Sequence, residues 1–399
     1  MISTTWLKYS IKMIQTRILT IALFALCVTD SVFADDNNLN TAFGKEATVS
    51  GGIKNDAGGA YSLVAGGKLN SAKGYTSTVS GGSKNQAVGD KSYVGGGMSN
   101  IADGKESTVA GGTDNYALGV RASIAGGSKN DITLESKGGT IAGGSTNVLS
   151  GEYGVIGGGF QNFVAEHYGI VAGGESNAAL TMHATVSGGN DNVAMGQGTT
   201  ISGGSGNFAE LPHASVSGGF KNVVAGEFSS ISGGETNFVE KRGSSIGGGK
   251  DNGISAEYAT IAGGKDNIVV GSYGTVIGGE ANEAAGDYSI AGGAKAIAKA
   301  NRSAVFNLSP DQVESSSEGQ FLVAANSFTL KFGDGDEFTL DAANIDKLRK
   351  LLGNGRRSLR GVPDSNIDSD EYYQKKIEHL QRQVEELRLI VNSIVPPMF

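Results

Sequence analysis

From Val49 to Ile290 one Val or Ile returns in every repeat of the chain, at a spacing of 15 residues with two exceptions. A Gly-Gly pair begins two positions after each of them, as in Val79-Ser80-Gly81-Gly82 and Val186-Ser187-Gly188-Gly189, and seventeen such units can be counted. Asn stands three positions past the second glycine in sixteen of the seventeen, Asn85 and Asn192 among them, and only Ala296 breaks the column. Two positions after the Asn comes Ala, Val, Ile or Leu. The exceptions in spacing are 17 residues between Gly126 and Gly143 and 14 between Gly278 and Gly292.

A fixed period of this length is the mark of a solenoid. One β-branched residue with small polar neighbours suits a short strand, because successive side chains point to opposite faces. The apolar position after the Asn marks a second short strand. Gly-Gly permits a turn with positive φ, and Asn tolerates the left-handed region. Each coil is therefore expected to hold two short strands and two corners, with Asn at a corner. Coils stacked at ~4.8 Å would form a rod of roughly 80 Å. Two inward apolar side chains per coil make a thin core, so several chains are expected to share one.

The period fades after Ala294, although Ser303-Ala304-Val305-Phe306 keeps the strand column. Phe328, Leu330 and Phe332 alternate before Gly333-Asp334-Gly335-Asp336, and Phe338 and Leu340 after it, which predicts a β-hairpin. Asp341 then caps a short helix carrying Ile345, Leu348 and Leu351 and closed by Gly353. A polar stretch follows. Beyond it Ile377, Val384 and Val391 alternate with Leu380, Leu387 and Ile394 in heptad spacing, which predicts a coiled coil of about three heptads that joins copies of the chain.

Composition and termini narrow the picture. The chain has 399 residues with 64 Gly, five Pro and a net charge of −8. That acidic balance argues against nucleic acid as a partner, since phosphate binding needs a concentrated basic surface. Lys8, Lys12 and Arg17 precede the apolar run Ile18–Val28, and Val32-Phe33-Ala34 supplies small residues for cleavage between Ala34 and Asp35, the order of a secretory signal. The single cysteine, Cys27, lies within it. No transmembrane anchor follows. Asn301 and Asn307 open Asn-x-Ser sequons and are candidate glycosylation sites in a eukaryotic host. The expected organisation is a signal peptide over 1–34, a leader over 35–46, a repeat head over 47–306, a hairpin and helix cap over 307–352, a linker over 353–370 and a coiled coil over 371–395.

No cofactor or metal site is expected, and no enzyme. His167, His183, His213 and His379 share no ligand spacing, and the carboxylates are scattered. The Gly-Gly pairs are periodic corners and lack the Gly-Lys-Ser/Thr of a phosphate loop. One column carries possible surface chemistry. The residue three before each pair is Ser or Thr in thirteen of seventeen units. That hydroxyl ladder suggests an ice-binding face as a third functional reading.

The repeat, in segments such as Gly74-Tyr75-Thr76-Ser77-Thr78-Val79-Ser80-Gly81, resembles the head repeats of YadA-like trimeric autotransporter adhesins. The likeness runs from about Ala47 to Phe306, and Gln320-Phe321-Leu322-Val323 is similar to segments that follow such heads. The resemblance implies a left-handed parallel β-roll, three chains about one axis, and adhesion to host or matrix surfaces. This repeat is one residue longer than the family's usual one, and the family's C-terminal barrel anchor has no counterpart. The leading expectation is thus a secreted adhesin-like protein, a trimer in preference to a dimer, that presents a multivalent face to an extracellular ligand. Arg357-Ser358-Leu359-Arg360, with the acidic residues after it, resembles the RxLR motif of secreted oomycete effectors. That implies a second reading, action in or on a host cell.

Overall fold

The computed structural model describes residues 39–331, 337–341 and 344–345. Contacts divide the chain into two units, Met1–Asn326 and Ser327–Phe399.

The first unit is an all-β parallel solenoid. Every coil gives one short strand to each of two ladders. The first ladder has nineteen strands, from Thr41–Ala42 to Val313–Glu314; the second also has nineteen, from Thr48–Val49 to Phe321–Ala324. Each strand pairs with its equivalents one coil away, as Thr185 with Thr200 and Val186 with Ile201, or Val193 with Phe208 and Ala194 with Ala209. Nineteen turns at ~4.8 Å span about 85–90 Å. The solenoid thus begins inside the expected leader (35–46) and continues past the expected head boundary at 306. Those end coils lack Gly-Gly, so the motif misses them, yet their backbones still complete the ladders.

A third ladder was not foreseen. Between the Gly-Gly pair and the Asn, one residue per coil bridges to its equivalents, from Ile53 and Lys68 through to Lys265 and Glu280. The expected two-strand, two-corner coil becomes a three-ladder coil. A strand of one residue has no alternation, so the sequence carries no period-two signal for it.

The Asn column also moves. The left-handed positions are the second glycine of each pair, with φ between 84° and 100°, the residue just before the Asn, such as Lys84 at 59° and Asp191 at 54°, and the corner before the second ladder, such as His183 at 61°. The Asn itself is buried. Asn192 shows the pattern. Its backbone N–H donates to Asn177 Oδ1 at 3.1 Å, and its own Oδ1 accepts from Asn207 N–H at 3.0 Å. Its Nδ2 donates to Gly188 O at 3.0 Å and Gly204 O at 2.9 Å. The amide therefore satisfies the Asn207 N–H and the Gly188 carbonyl, which the corner leaves without a backbone partner, and gives Gly204 O a second donor beside Asn190 N–H. The ladder begins at Asn40, whose Oδ1 accepts from Asn55 N–H at 3.0 Å.

Inside, Val79, Val186 and their equivalents from Val64 to Val276 are buried in one core with the first ladder's Ala57, Ile132, Leu149 and Val224, while Val49 and Leu322 in the end coils are only partly covered. Volume is balanced between columns. Where the first ladder supplies Leu149 or Val164, the position two before the second ladder's Val or Ile is Gly139, Gly154 or Gly169. A Cβ on Gly139 would lie 2.6 Å from Leu149 Cδ2, and one on Gly169 would lie 2.7 Å from Val164 Cγ1. Where the first ladder supplies Ala72 or Ala87, that position is Ser77 or Ser92 and is buried too.

Both irregular spacings are absorbed locally. The two extra residues lie between Ile132 and Thr140, and Ser123 still pairs with Thr140. The 14-residue spacing shifts the register between Val276 and Gly279, so Ile290 pairs with Thr275 and Ala291 with Val276. Ile290 therefore faces out and Ala291 in. The expectation that Ile290 continues the inward column is overturned: the strand keeps the 15-residue step from Thr275 and Val276, and the missing residue falls between Ala291 and the Gly-Gly pair, so counting back two positions from Gly292 lands on the outward residue.

In the second unit Ser327–Lys331 and Glu337–Asp341 form the expected antiparallel hairpin, with Thr329 opposite Thr339. Asp341 Oδ1 accepts from Asn344 N–H at 2.7 Å, an N-cap bond, and 344–345 are helical. The cleavage site Ala34/Asp35, the remainder of the short helix, Arg357-Ser358-Leu359-Arg360 and the heptad positions Ile377 to Ile394 lie outside the described residues.

Candidate binding faces on the outside of the solenoid

Because equivalent residues repeat once per coil, the outer surface is a set of columns. The second ladder turns a hydroxyl outward in seven consecutive coils, from Thr185 and Thr200 through Ser215, Ser230 and Ser245 to Thr260 and Thr275. In the first four of these coils a Ser stands two residues on, beginning with Ser187. Leu63, Tyr93, Val155 and Ile170 interrupt the same column nearer the N-terminus.

The first ladder's outer column is apolar over the middle of the solenoid. From Val148 to Phe238 seven consecutive coils carry Val, Phe or Ala there. Phe163, Val193 and Phe208 are half-buried, and Phe238 is 40% exposed. The second residue of each strand holds the core, so this first residue has no choice but to face away from it.

A third column sits at the left-handed corner before the second ladder, and the sequence reading missed it. Tyr153, Tyr168 and His183 stack with ring centres 5.6 and 5.1 Å apart; Tyr258, Tyr273 and Tyr288 stack at 5.2 and 4.8 Å; His213 and Phe228 stack at 4.9 Å. Each run starts above a glycine. The ring of Tyr258 lies over Gly243, where an added Cβ would come within 2.7 Å of it, and Gly138 and Gly198 stand in the same relation to Tyr153 and His213. The 15-residue spacing of these rings was visible in the sequence, but a corner gives no hydrophobic periodicity to draw attention to it. His183 and His213 are thus ring-stack members, and His167 Nδ1 accepts from Glu152 N–H at 3.1 Å.

Charged columns pair along the axis as well. Lys250 meets Glu235 at 2.9 Å and Arg121 meets Glu106 at 3.0 Å, each one coil apart. The Arg121 hydrogen bond holds the Glu106 carboxyl below its ordinary pKa. Asp103, on the outer side of its coil, is pushed above its ordinary value by partial desolvation. Among the described residues no group of three or more His, Cys, Asp or Glu is placed to hold a metal ion.

The two sequons part company. Asn301 is exposed at a corner. Asn307 is fully buried, and its Nδ2 donates to Ala294 O and Asp311 O, both at 2.6 Å. In the folded chain the Asn307 amide nitrogen is enclosed and bonded, which leaves Asn301 as the accessible sequon.

No family model matches the chain, and no curated protein matches it.

Proposed function

We propose that the chain is a secreted, adhesin-like structural and binding protein that presents its solenoid surface to an extracellular or host ligand in many weak, equivalent contacts. One observation carries the reading: the run of seven outward hydroxyls from Thr185 to Thr275 repeats one surface chemistry at every coil instead of concentrating it in one place. Neighbouring contacts at ~4.8 Å steps raise the effective concentration of the next, so avidity grows without any strong single contact. The similarity to YadA-like heads supports the same reading, and extends it to a left-handed coil, a homo-oligomer with the trimer favoured, and a C-terminal coiled coil.

The test is deletion of one unit, Gly203 to Ser217, followed by surface plasmon resonance on immobilised matrix proteins and host-cell glycans. Each coil contacts only its neighbours, so the shortened chain folds and its residence time falls only slightly. Complete loss of binding with an intact circular dichroism spectrum would place the activity at one local site and end the multivalent reading. The paired hydroxyls at Thr185 and Ser187 also favour an ice-binding face, for which thermal hysteresis in the intact protein is the deciding measurement.

A further inference from the structure

Glycine interrupts the corner column of rings at Gly138, Gly198 and Gly243. At two of these gaps a cation stands alongside. Arg121 is the column residue before Gly138, and the Arg242 guanidinium lies 5.2 Å from the ring centre of Phe228, the column residue before Gly243. At Gly198 both neighbours in the column are rings, His183 on one side and His213 on the other. We propose that the gap between His183 and His213 is a binding slot for one aromatic side chain presented by a basic polypeptide. The slot lies on the corner and not on the hydroxyl column, so it stands or falls separately from the multivalent contacts proposed above.

The chain's own rings show what this place accepts. Tyr168 and His183 stack 5.1 Å apart and 8° from parallel, and His213 and Phe228 stack 4.9 Å apart and 15° from parallel. Two coil steps of ~4.8 Å put the His183 and His213 rings about 10 Å apart. That is twice the spacing of the stacked pairs, so one flat ring fits between them with an imidazole against each face, and offset stacking of this kind attracts beyond the area it buries. Gly198 keeps the left-handed backbone of the column, with φ 65°. A Cβ there would meet the His213 ring, with Nδ1 at 3.1 Å and Cε1 at 3.2 Å, and no other atom within 4 Å. His183 and His213 are exposed, so a ring can enter from solvent.

The surroundings define the partner. The residues standing just before the three gaps are Lys137, Gln197 and Arg242, so only the Gly198 gap has an uncharged rim. Met182 and Leu211 add apolar surface to it, 38% and 42% exposed. A slot with two walls covers the faces of a ring but leaves its edges open, short of the ~70–90% enclosure that holds a free small molecule. The ring therefore arrives on a larger partner that adds contacts around it. Between Lys137 and Lys221 the sequence holds no Lys or Arg, while Glu152, Glu166, Glu175, Asp191 and Glu210 are acidic. Glu152 and Glu166 sit in the same turns as the rings. A partner with complementary charge carries Lys or Arg beside its aromatic residue.

The chain has four histidines, so the full chain labelled with carbon-13 histidine gives a spectrum simple enough to assign with His183→Gln and His213→Gln. The probes are three short peptides: tryptophan flanked by lysines, leucine flanked by lysines, and tryptophan flanked by glutamates. The expected result is a saturable upfield movement of the His183 and His213 ring signals with the first peptide, while those of His167 and His379 stay in place. The leucine peptide should bind roughly tenfold more weakly or worse, since it loses two ring stacks, and the glutamate peptide should also bind more weakly. Gly198→Phe fills the slot with the side chain that Phe228 carries at φ 54° in the same column, and it should abolish the movement while leaving the circular dichroism spectrum intact. If that variant does not fold, His213→Ala removes one wall and should weaken binding of the first peptide. No movement with the first peptide, equal affinity for the leucine peptide, or unchanged binding in folded Gly198→Phe or His213→Ala overturns the slot. Equal affinity for the glutamate peptide overturns the basic partner.

Discussion

Replacing Asn192 with Ala tests whether the buried amide column holds the coils together. The change removes the acceptor of the Asn207 N–H, a fully buried group left with no side-chain partner. It also removes the amide donor to Gly188 O and one of the donors to Gly204 O, which keeps its bond from Asn190 N–H at 3.0 Å. An orphaned buried N–H costs ~1–3 kcal/mol, and a half-buried carbonyl and a lost bond add about one each, so the expected loss is roughly 3–5 kcal/mol. Thr185→Ala is the control. It removes one outward hydroxyl and should stay within about 0.5 kcal/mol of the parent. Urea denaturation followed by circular dichroism gives the difference, and amide hydrogen exchange at Asn207 locates it. Because each coil leans only on its neighbours, the exchange rates should rise around Asn177 to Asn207 and stay at parent levels near Asn85. Equal midpoints for the two variants would mean that the amides are spectators and that the backbone ladders alone fix the coil.

Val186→Asp should lower the thermal midpoint severely, because it places a charge in a fully buried apolar column, while Thr185→Asp should be almost silent; equal shifts would show the strand faces to be reversed. Gly67→Ala should destabilise strongly, since its φ is 92° and a Cβ would lie 2.2 Å from Gly82 O in the next coil; in contrast Gly66→Ala, which meets nothing within 4 Å, should melt within a degree or two of the parent. Asp103→Asn should stabilise at neutral pH, because a carboxyl whose pKa is raised by burial destabilises the fold wherever it is ionised; the advantage should vanish as pH falls through the ordinary carboxylate range and the parent side chain becomes neutral. Expression through a eukaryotic secretory pathway should add one glycan, at Asn301, and mass spectrometry of Asn301→Gln should show none, whereas a glycan on Asn307 in folded protein would contradict its burial.

The repeat by itself determined the fold class, the spacing of the coils and which of two neighbouring strand residues points inward. Those follow from local geometry, because a strand's alternation and a glycine's left-handed turn are properties of a few consecutive residues. The columns of Val79, Val186, Gly82 and Gly189 stand where that reasoning puts them. The role of Asn85 and Asn192 was decided only in the stack. A single coil offers an Asn nothing but its own corner, and the backbone groups it satisfies belong partly to the next coil. Nor could the third ladder at Lys68 and Phe160 be read from a one-residue strand, since pairing is what defines it. Ile290 faces outward because the residue missing from its coil falls after Ala291, between strand and Gly-Gly pair, and only the pairing of Thr275 with Ile290 and Val276 with Ala291 shows on which side of the strand the chain is short. Sequence alone also could not separate Asn301 from Asn307, for the two sequons are equivalent until folding buries one of them. The apolar and hydroxyl columns were both written at 15-residue spacing, but only the stacked coils bring residues that distant into two continuous faces on one turn of chain.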